Sequence, residues 1–361
     1  MMLPFTGSYR AEDTVFLLKP LCLEMVDVAA KERLIQSGQR HYSEMLTPEQ
    51  TPGPRYLCLF EALTDRYAAR LATEIATLAH YLMEARHRQI TVVSLARAGT
   101  PIGALLIRAL RWLGRTDIRH YSISIIRDRG IDENALAFIL RGEQREPAGL
   151  VFVDGWTAKG VIAEELRQAL RRWNARHPEQ LPEILHVVSD IGGVADVAAT
   201  YDDYAIPSGI LNATVSGLTS RSILNAAIGP DDFHGCVFYQ EFASHDRSNW
   251  FLDRVAALFP TVTPGSAYAD REKRRAQRQA MTDFLAGLHV RYAISDRNLV
   301  KPGVAEATRV LLRRVPGLLL LRDPAHADVQ HLQLLAAEKQ VPVIVDPSMP
   351  IAATALIKEL L

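Results

Sequence analysis

The amino-acid sequence predicts an α/β protein, in which a parallel sheet covered by helices is followed by a smaller α/β unit. Two observations support this prediction. Short apolar, β-branched runs alternate with longer helical patterns along the chain. These runs end in loops that lead directly into helices, as in parallel sheets with helices on both faces. Because such sheets bind ligands at the carboxyl ends of their strands, the loops that follow the strands are candidate sites.

The elements of the first domain follow one another in this order. An N-terminal extension over 1–56 ends in a proline-rich loop, and the domain itself is predicted over 57–265. Its first element is a helix over 57–88, in which apolar residues recur every three or four positions. Strands are predicted over 90–95, 120–126, 150–153 and 184–189, and helices over 101–113 and 161–173.

A second, compact domain is predicted over 281–361, after a charged linker over 266–280. A solvated helical face is the alternative for the charged segment. The pattern of the second domain predicts helices over 304–314 and 326–339, and strands over 317–321 and 341–345.

Composition excludes several classes of protein. The 361 residues exceed one average domain, and 48% hydrophobic with 23% charged residues is ordinary for a globular chain. This excludes a disordered chain, a collagen and a disulfide scaffold. Lys and Arg together number 41, as do Asp and Glu, so the chain is not basic throughout.

Cysteine usage and the absence of a long apolar run predict a reduced, cytoplasmic protein without a membrane partner. Cys22, Cys58 and Cys236 are far apart and have no zinc-binding spacing. The first ten residues lack the pattern of a secretion signal. The sequence indicates no protein ligand for a metal.

One candidate site follows the predicted strand over 150–153. Turn N–H groups and a helix N-terminus can surround a phosphate there. Asp154 is placed to accept hydrogen bonds from sugar hydroxyls, Thr157 to donate one to the phosphate, and Lys159 to add positive charge. The candidate residues of this loop are Asp154, Gly155, Thr157, Ala158, Lys159 and Gly160. An ordinary strand–helix loop with a capping threonine is the alternative.

A second candidate loop, made of Arg97, Ala98, Gly99 and Thr100, lies between the preceding strand and helix. Gly99 permits close approach of a ligand, and Arg97 could hold a diphosphate. A tight loop with a surface arginine is the alternative. Neither loop has the GxxxxGK[ST] or GxGxxG pattern.

Together the two loops resemble those of type I phosphoribosyltransferases. The strand–Asp-x-x-Thr-x-x-Gly–helix segment is similar to their ribose-phosphate loop, and Arg97-Ala98-Gly99 is similar to their diphosphate loop. Gly155 departs from the usual pair of adjacent acids. Over about 60–361 the chain further resembles the predicted phosphoribosyltransferases of tellurium-resistance-type bacterial stress operons, some of which are labelled cysteine protease StiP. The segments that carry this resemblance are 96–101, 127–132, 153–160, 207–217 and 301–309.

The resemblance implies transfer of 5-phosphoribose from phosphoribosyl diphosphate to a base, which could be linked to RNA. Asp154 would hold the ribose hydroxyls, 157–160 the 5′-phosphate, and Arg97 with Gly99 the diphosphate with substrate-bound Mg²⁺. Arg127 or Arg129 would contact the diphosphate from a mobile loop. Arg221, in the small-residue segment 208–222, would serve a base or a second phosphate. For Arg127 and Arg129, a solvated loop is the alternative. For the segment 208–222, simple packing of small residues is the alternative.

Members of this group carry a C-terminal Pelota-like domain of the L7Ae type, a three-layer α/β/α module that binds RNA through its backbone and a helix N-terminus. The corresponding residues here are Lys301, Gly303 and Arg309, with Arg313 and Arg314 adding positive charge. A packing module without RNA binding is the alternative.

Two other functions remain open from the sequence. Cys236 with His234 or His245 could form a cysteine hydrolase, although a buried structural cysteine is the simpler interpretation. The second open function is that of a non-catalytic, RNA-binding sensor of the sugar diphosphate. A homodimer is an open alternative to a monomer.

Overall fold

The computed structural model describes residues 4–85, 88–268, 270–294 and 296–359. The strands are β1 (Val15–Leu17), β2 (Lys19–Pro20), β3 (Ile90–Ala96), β4 (Ile118–Ile126), β5 (Gly130–Ile131), β6 (Leu150–Thr157), β7 (Leu185–Asp190), β8 (Val197–Thr200), β9 (Gly235–Cys236), β10 (Val300–Pro302), β11 (Pro316–Leu321), β12 (Val343–Val345) and β13 (Ala353–Ile357). The α-helices are α1 (Val28–Gln36), α2 (Pro54–Glu84), α3 (Gly99–Trp112), α4 (Glu133–Ala137), α5 (Val161–Arg176), α6 (Ser248–Ala256), α7 (Arg271–Arg291), α8 (Val304–Arg313) and α9 (Gln330–Glu338).

A parallel sheet forms the centre of the first domain, as predicted. Its strand order is β1-β4-β3-β6-β7-β8, and β5 pairs antiparallel with β4. Val92 of β3 packs into the core formed with α2 and α3, whereas Val93 packs into the core formed with α4 and α5. The alternation of side chains along β3 therefore buries both faces of the sheet.

A second sheet, of order β10-β13-β11-β12, forms the centre of the C-terminal domain. β13 pairs antiparallel with β10 and β11, and β12 pairs parallel with β11. Helices α8 and α9 pack against each other, and the Thr308 hydroxyl lies 2.8 Å from Nε2 of His331 between them. The predicted α/β fold with a small C-terminal domain is thus confirmed.

The strand before the first candidate loop is longer than predicted. β6 continues through Thr157, because Asp154, Trp156 and Thr157 pair in register with residues of β7. Asp154 therefore lies within a strand rather than at its end, and the turn is confined to 158–160. The length of the apolar run alone underestimates the length of β6, because residues after that run continue the backbone hydrogen bonds to β7.

Other differences concern segments whose sequence patterns are short or charged. The charged segment over 266–280 is largely helical, since α7 begins at Arg271 and the Asp270 carboxylate accepts hydrogen bonds from its first turn. The short strands β1, β8, β10 and β13 were not predicted. Positions 86 and 87 of the predicted helix over 57–88, and positions 360 and 361, lie outside the described residues.

Hydrogen bonds join the two domains around the start of α8. The Asp203 carboxylate accepts the N–H of Val304 and the N–H of Ala352, each at 2.9 Å. The Lys159 ammonium donates to the carbonyl oxygens of Arg297 and Val300, each at 2.8 Å. These contacts hold α8 against the carboxyl end of β6.

Candidate functional site

A cavity of about 440 Å³ lies between the carboxyl end of β6, helix α1 and helix α8. Among the described residues that line it, cations outnumber carboxylates by eight to three. The cations are Lys31, Arg127, Lys159, Arg221, Lys301, Arg309, Arg313 and Arg314, and the carboxylates are Asp154, Asp296 and Glu306. Positive charge concentrated in a concave site favours an anionic ligand.

Asp154 lies on the cavity wall beside the start of α3. Its carboxylate accepts the N–H of Gly155 at 2.7 Å. A Cβ at Gly99 would lie 2.6 Å from the Val153 carbonyl oxygen and 3.4 Å from Oδ1 of Asp154, so only glycine lets α3 begin this close. Burial raises the pKa of Asp154 to about 7, against the smaller opposing effect of Arg309.

The turn after β6 leads into the N-terminus of α5. Gly160 has a φ of +77°, a conformation that favours glycine, and α5 begins at Val161 without a side-chain cap. The unpaired N–H groups of this first turn are suited to a phosphate. Thr157 and Lys159 line the same end of the cavity. Burial, and next the charge of Lys301, lower the pKa of Lys159 to about 7.

The second candidate loop contacts Asp154 but does not present its arginine to the cavity. Arg97 is buried, forms an ion pair with Glu49 of the N-terminal extension and donates to the Thr219 carbonyl oxygen at 2.6 Å. Ala98, Gly99 and Thr100 also lie outside the cavity lining, and the Thr100 hydroxyl is 2.6 Å from that of Ser122. The expected diphosphate contact of Arg97 is therefore replaced by an internal carboxylate.

The remaining predicted arginines of the first domain separate into two groups. Arg127 and Arg221 line the cavity, and both guanidinium groups lie 5.3 Å from the ring centre of Tyr42. Arg127 also donates to Oδ1 of Asn298 at 2.8 Å, across the domain boundary. Arg129 does not line the cavity and pairs with Glu44 at 3.0 Å.

The C-terminal residues predicted to bind RNA face the first domain. Lys301 and Arg309 line the cavity, and the Arg309 guanidinium lies 4.6 Å from the ring centre of Trp156. Gly303 does not offer a free helix N-terminus, because Asp203 occupies it and a Cβ at Gly303 would lie 2.6 Å from Ile191. Part of the expected RNA surface is therefore an interdomain contact.

Sequence reasoning missed several residues of the cavity. Lys31 and Tyr42 come from the N-terminal extension, whose pattern is hard to interpret, and Glu306 was passed over as part of a helix. For Glu306, the only signal in the sequence was its spacing from two predicted residues, since it lies three positions after Gly303 and three before Arg309. In the structure, its carboxylate binds Arg309 at 2.7 Å.

The cysteines show no catalytic pair. Cys236 is fully buried in β9, and burial raises the pKa of its thiol. Nδ1 of His234 lies 2.7 Å from the Ser124 hydroxyl, and Nδ1 of His245 lies 3.0 Å from that of Ser244. Cys22 and Cys58 are exposed.

No helix in the described part of the chain combines the length and apolarity needed to span a bilayer. Among solved structures, the hypoxanthine phosphoribosyltransferase of Trypanosoma cruzi is similar at 15% identity, covering 38% of this chain and 77% of that one, with a TM-score of 0.28. A hypothetical protein from Neisseria gonorrhoeae with bound ppGpp matches at 12% identity over 33% of this chain and 66% of that one, with a TM-score of 0.24.

Comparisons of sequence cover nearly the whole chain. Residues 7–256 match the family described as tellurite-like stress resistance cysteine protease StiP, and 279–359 match the PELOTA RNA binding domain. A curated relative from Acinetobacter baylyi, named cysteine protease StiP, is 42% identical over 368 residues, which is 99% of this chain and 95% of the relative. The resemblance stated from the sequence is confirmed at this level: the chain belongs to the StiP family and carries a C-terminal PELOTA domain.

Proposed function

We propose that the cavity binds phosphoribosyl diphosphate and that the protein transfers its 5-phosphoribosyl group to a nitrogen of a base. The observation that carries this proposal is the joint placement of Asp154 and the 157–160 segment in one cationic cavity. A carboxylate for sugar hydroxyls thus lies beside a helix N-terminus and a lysine for a phosphate.

Each group has a role that follows from its position. The Thr157 hydroxyl and the first N–H groups of α5 bind the 5′-phosphate, with Lys159 adding charge. Asp154 accepts hydrogen bonds from the ribose hydroxyls. The bond between C1 and the diphosphate oxygen breaks, the diphosphate leaves with the electron pair, and the base nitrogen bonds to C1 and loses its proton to solvent. The residues act by positioning and charge stabilisation.

Magnesium enters this proposal as part of the substrate. The described residues contain no group of three or more His, Cys, Asp or Glu arranged to hold a metal ion. A cavity with eight cations and three carboxylates suits a metal carried by the diphosphate oxygens, where it would neutralise charge on the leaving group.

RNA is the second partner that we propose, either as the carrier of the acceptor base or as a separate ligand. The match of 279–359 to the PELOTA RNA binding domain supports RNA binding. Lys301 and Arg309 belong to this domain and line the cavity that would hold the sugar diphosphate. An acceptor bound to the domain would therefore approach the reacting sugar directly.

Calorimetric titration of phosphoribosyl diphosphate with Mg²⁺ tests the proposal. We expect saturable binding to the wild type, strong weakening in Asp154→Asn, and unchanged binding in the control Asp283→Asn on the exposed face of α7. A screen of free bases and RNA fragments then measures release of diphosphate. Absence of binding to the wild type overturns the proposal, and binding without turnover favours a non-catalytic sensor.

Cysteine proteolysis is the second candidate, favoured by the name of the curated relative. A buried thiol with a raised pKa is a poor nucleophile, so Cys236 would need a conformational opening to act. Proteolysis of a broad peptide library by the wild type would support this function. Loss of that activity in Cys22→Ser, Cys58→Ser or Cys236→Ser would then identify the residue involved.

A further inference from the structure

Three cations of the cavity have no role in the proposed binding of the sugar phosphate. Lys31 lies on α1, Arg313 is the last residue of α8, and Arg221 comes from the segment between β8 and β9. Arg314 and Glu32 form an ion pair with one bond of 2.7 Å, which ties α8 to α1. Lys31 lies close enough to Arg221, Arg313 and Arg314 for the charge of each to lower its pKa, so these cations lie together in the cavity.

These cations have no carboxylate in direct contact. In the part of the chain that the structure describes, neither the Lys31 nor the Arg313 side chain has a hydrogen bond or an ion pair, although the charge of Glu32 acts on Lys31 and the charges of Glu49 and Glu306 act on Arg313. The hydrogen bonds of Arg221 go to main-chain carbonyl oxygens, including that of Tyr42. By contrast, Arg97 pairs with Glu49 and Arg309 with Glu306.

Burial makes this arrangement unfavourable without a ligand. The Lys31 residue is only 6% exposed, and burial followed by the charges of Arg221 and Arg314 lowers its pKa to about 6. Unpaired charges are rarely buried, because desolvation is not compensated. With this pKa, the Lys31 side chain is largely neutral near pH 7 in the unliganded protein, and an anion that enters from solution would favour its charged form.

The cluster is separated from the sugar-phosphate end of the cavity. Trp156, next to Thr157, contacts α8 at Glu306 and Arg309. At a rise of about 1.5 Å per residue, Arg313 lies about 6 Å further along the helix than Arg309. The cavity therefore presents positive charge at two places, which suits a ligand with two separated anionic groups.

We propose that Lys31, Arg221 and Arg313 form the binding site for the diphosphate group, in the place that the sequence predicted for Arg97. The identity of the complete ligand rests on the proposed function, but the diphosphate site itself does not. The site would be composite, because the N-terminal extension, the first domain and the PELOTA domain each contribute one cation to it.

Two probes that each carry one part of the ligand test this proposal. Calorimetry with inorganic diphosphate and with ribose 5-phosphate, both with Mg²⁺, would compare wild type, Arg313→Gln and Lys31→Met. Arg275→Gln, exposed on α7, is the matched control. We expect diphosphate affinity to fall about tenfold in each cavity variant, with ribose 5-phosphate affinity nearly unchanged. Asp154→Asn should show the reverse pattern.

The outcomes separate the two proposals. Diphosphate affinity that survives both Arg313→Gln and Lys31→Met overturns the diphosphate site. An equal loss of both probes in these variants also overturns it, since the cations would then not form a separate site. Diphosphate binding that responds to both variants, with no binding of phosphoribosyl diphosphate, supports the site and removes phosphoribosyl transfer. Thermal unfolding curves check that each variant is folded.

Discussion

Asp154 combines a proposed binding role with a cost to stability. Its pKa is raised to about 7 in the folded protein, mainly by burial, against an ordinary value near 4. The ionised carboxyl group therefore destabilises the fold. This destabilisation is absent below the unfolded pKa and complete above the folded pKa, so it grows between about pH 4 and pH 7.

We accordingly expect Asp154→Asn to stabilise the protein while weakening ligand binding. The asparagine oxygen can still accept the Gly155 N–H, so the gain should be about 1–3 kcal/mol at pH 8 and should vanish near pH 4. Thermal unfolding at a series of pH values measures it. If the stability difference between Asp154→Asn and the wild type is the same at every pH, this explanation is contradicted.

Lys159 should take up a proton when an anion binds. Its pKa of about 7 means that much of the side chain is neutral near pH 7.5 in the unliganded protein. A phosphate beside it raises the pKa again, since an opposite charge favours the charged form. Titrations in buffers of different ionisation enthalpy should show net proton uptake, reduced in Lys159→Met. Identical uptake in both proteins would contradict the assignment.

For single residues, the sequence allowed prediction only where neighbouring residues form a recognisable local pattern. Asp154 and the 157–160 segment, which line the cavity, were predicted as site residues because a buried strand, a small-residue turn and a helix follow one another. The side-chain direction of Arg97 was not predictable, because its partner Glu49 lies 48 positions earlier in a segment without a clear pattern. Lys31 could not be found for the same reason.

The close contact between α3 and β6 gives a prediction at the level of elements. A Cβ at Gly99 would lie 2.6 Å from a backbone oxygen of β6, whereas a Cβ at Gly155 would lie at ordinary contact distance, 3.4 Å from the Ala98 carbonyl oxygen. Gly99→Ala should therefore displace α3 and lower stability by about 1–3 kcal/mol, and Gly155→Ala should cost much less. Chemical denaturation compares the two. Equal losses of stability in Gly99→Ala and Gly155→Ala would mean that the contact between α3 and β6 at Gly99 is not tight.

The N-terminus of α8 gives a second prediction at this level. Asp203 accepts two backbone N–H groups of the PELOTA domain, so Asp203→Ala should cost about 1–2 kcal/mol and loosen the contact between the domains. Its neighbour Asp202 is exposed and pairs with Arg70, so Asp202→Ala is a matched control with little effect. Faster cleavage of the 262–270 segment by a protease would report the loosening. Equal cleavage of both variants would contradict it.

Elements were predictable where burial is uniform. The strands over 90–95 and 120–126 were located because the first is a short apolar, β-branched run and the second alternates polar and apolar residues. The end of β6 was not, since its last residues are held by backbone pairing with β7 rather than by apolar side chains. Two- and three-residue strands such as β10 have no pattern of their own.

For the whole molecule, the shared cavity couples the two proposed ligands. Lys301 and Arg309 would serve RNA, yet they line the same cavity as the proposed diphosphate site. Saturating inorganic diphosphate should therefore weaken binding of a labelled RNA hairpin about tenfold at constant ionic strength. Fluorescence anisotropy of the labelled RNA measures this weakening. In Arg313→Gln, a higher concentration of diphosphate should be needed to weaken RNA binding to the same extent. RNA affinity that is indifferent to diphosphate in the wild type would contradict the coupling.

The ion pair between Glu32 and Arg314 also constrains how this protein can change over evolution. Glu32 is fully buried, so loss of Arg314 would leave an isolated charge in the interior. The two positions, 282 residues apart, should therefore change together among homologous proteins or not at all. A gene that lost the portion encoding either end would leave the other with an uncompensated charge. Such a pair favours inheritance of the extension, the core and the PELOTA domain as one unit.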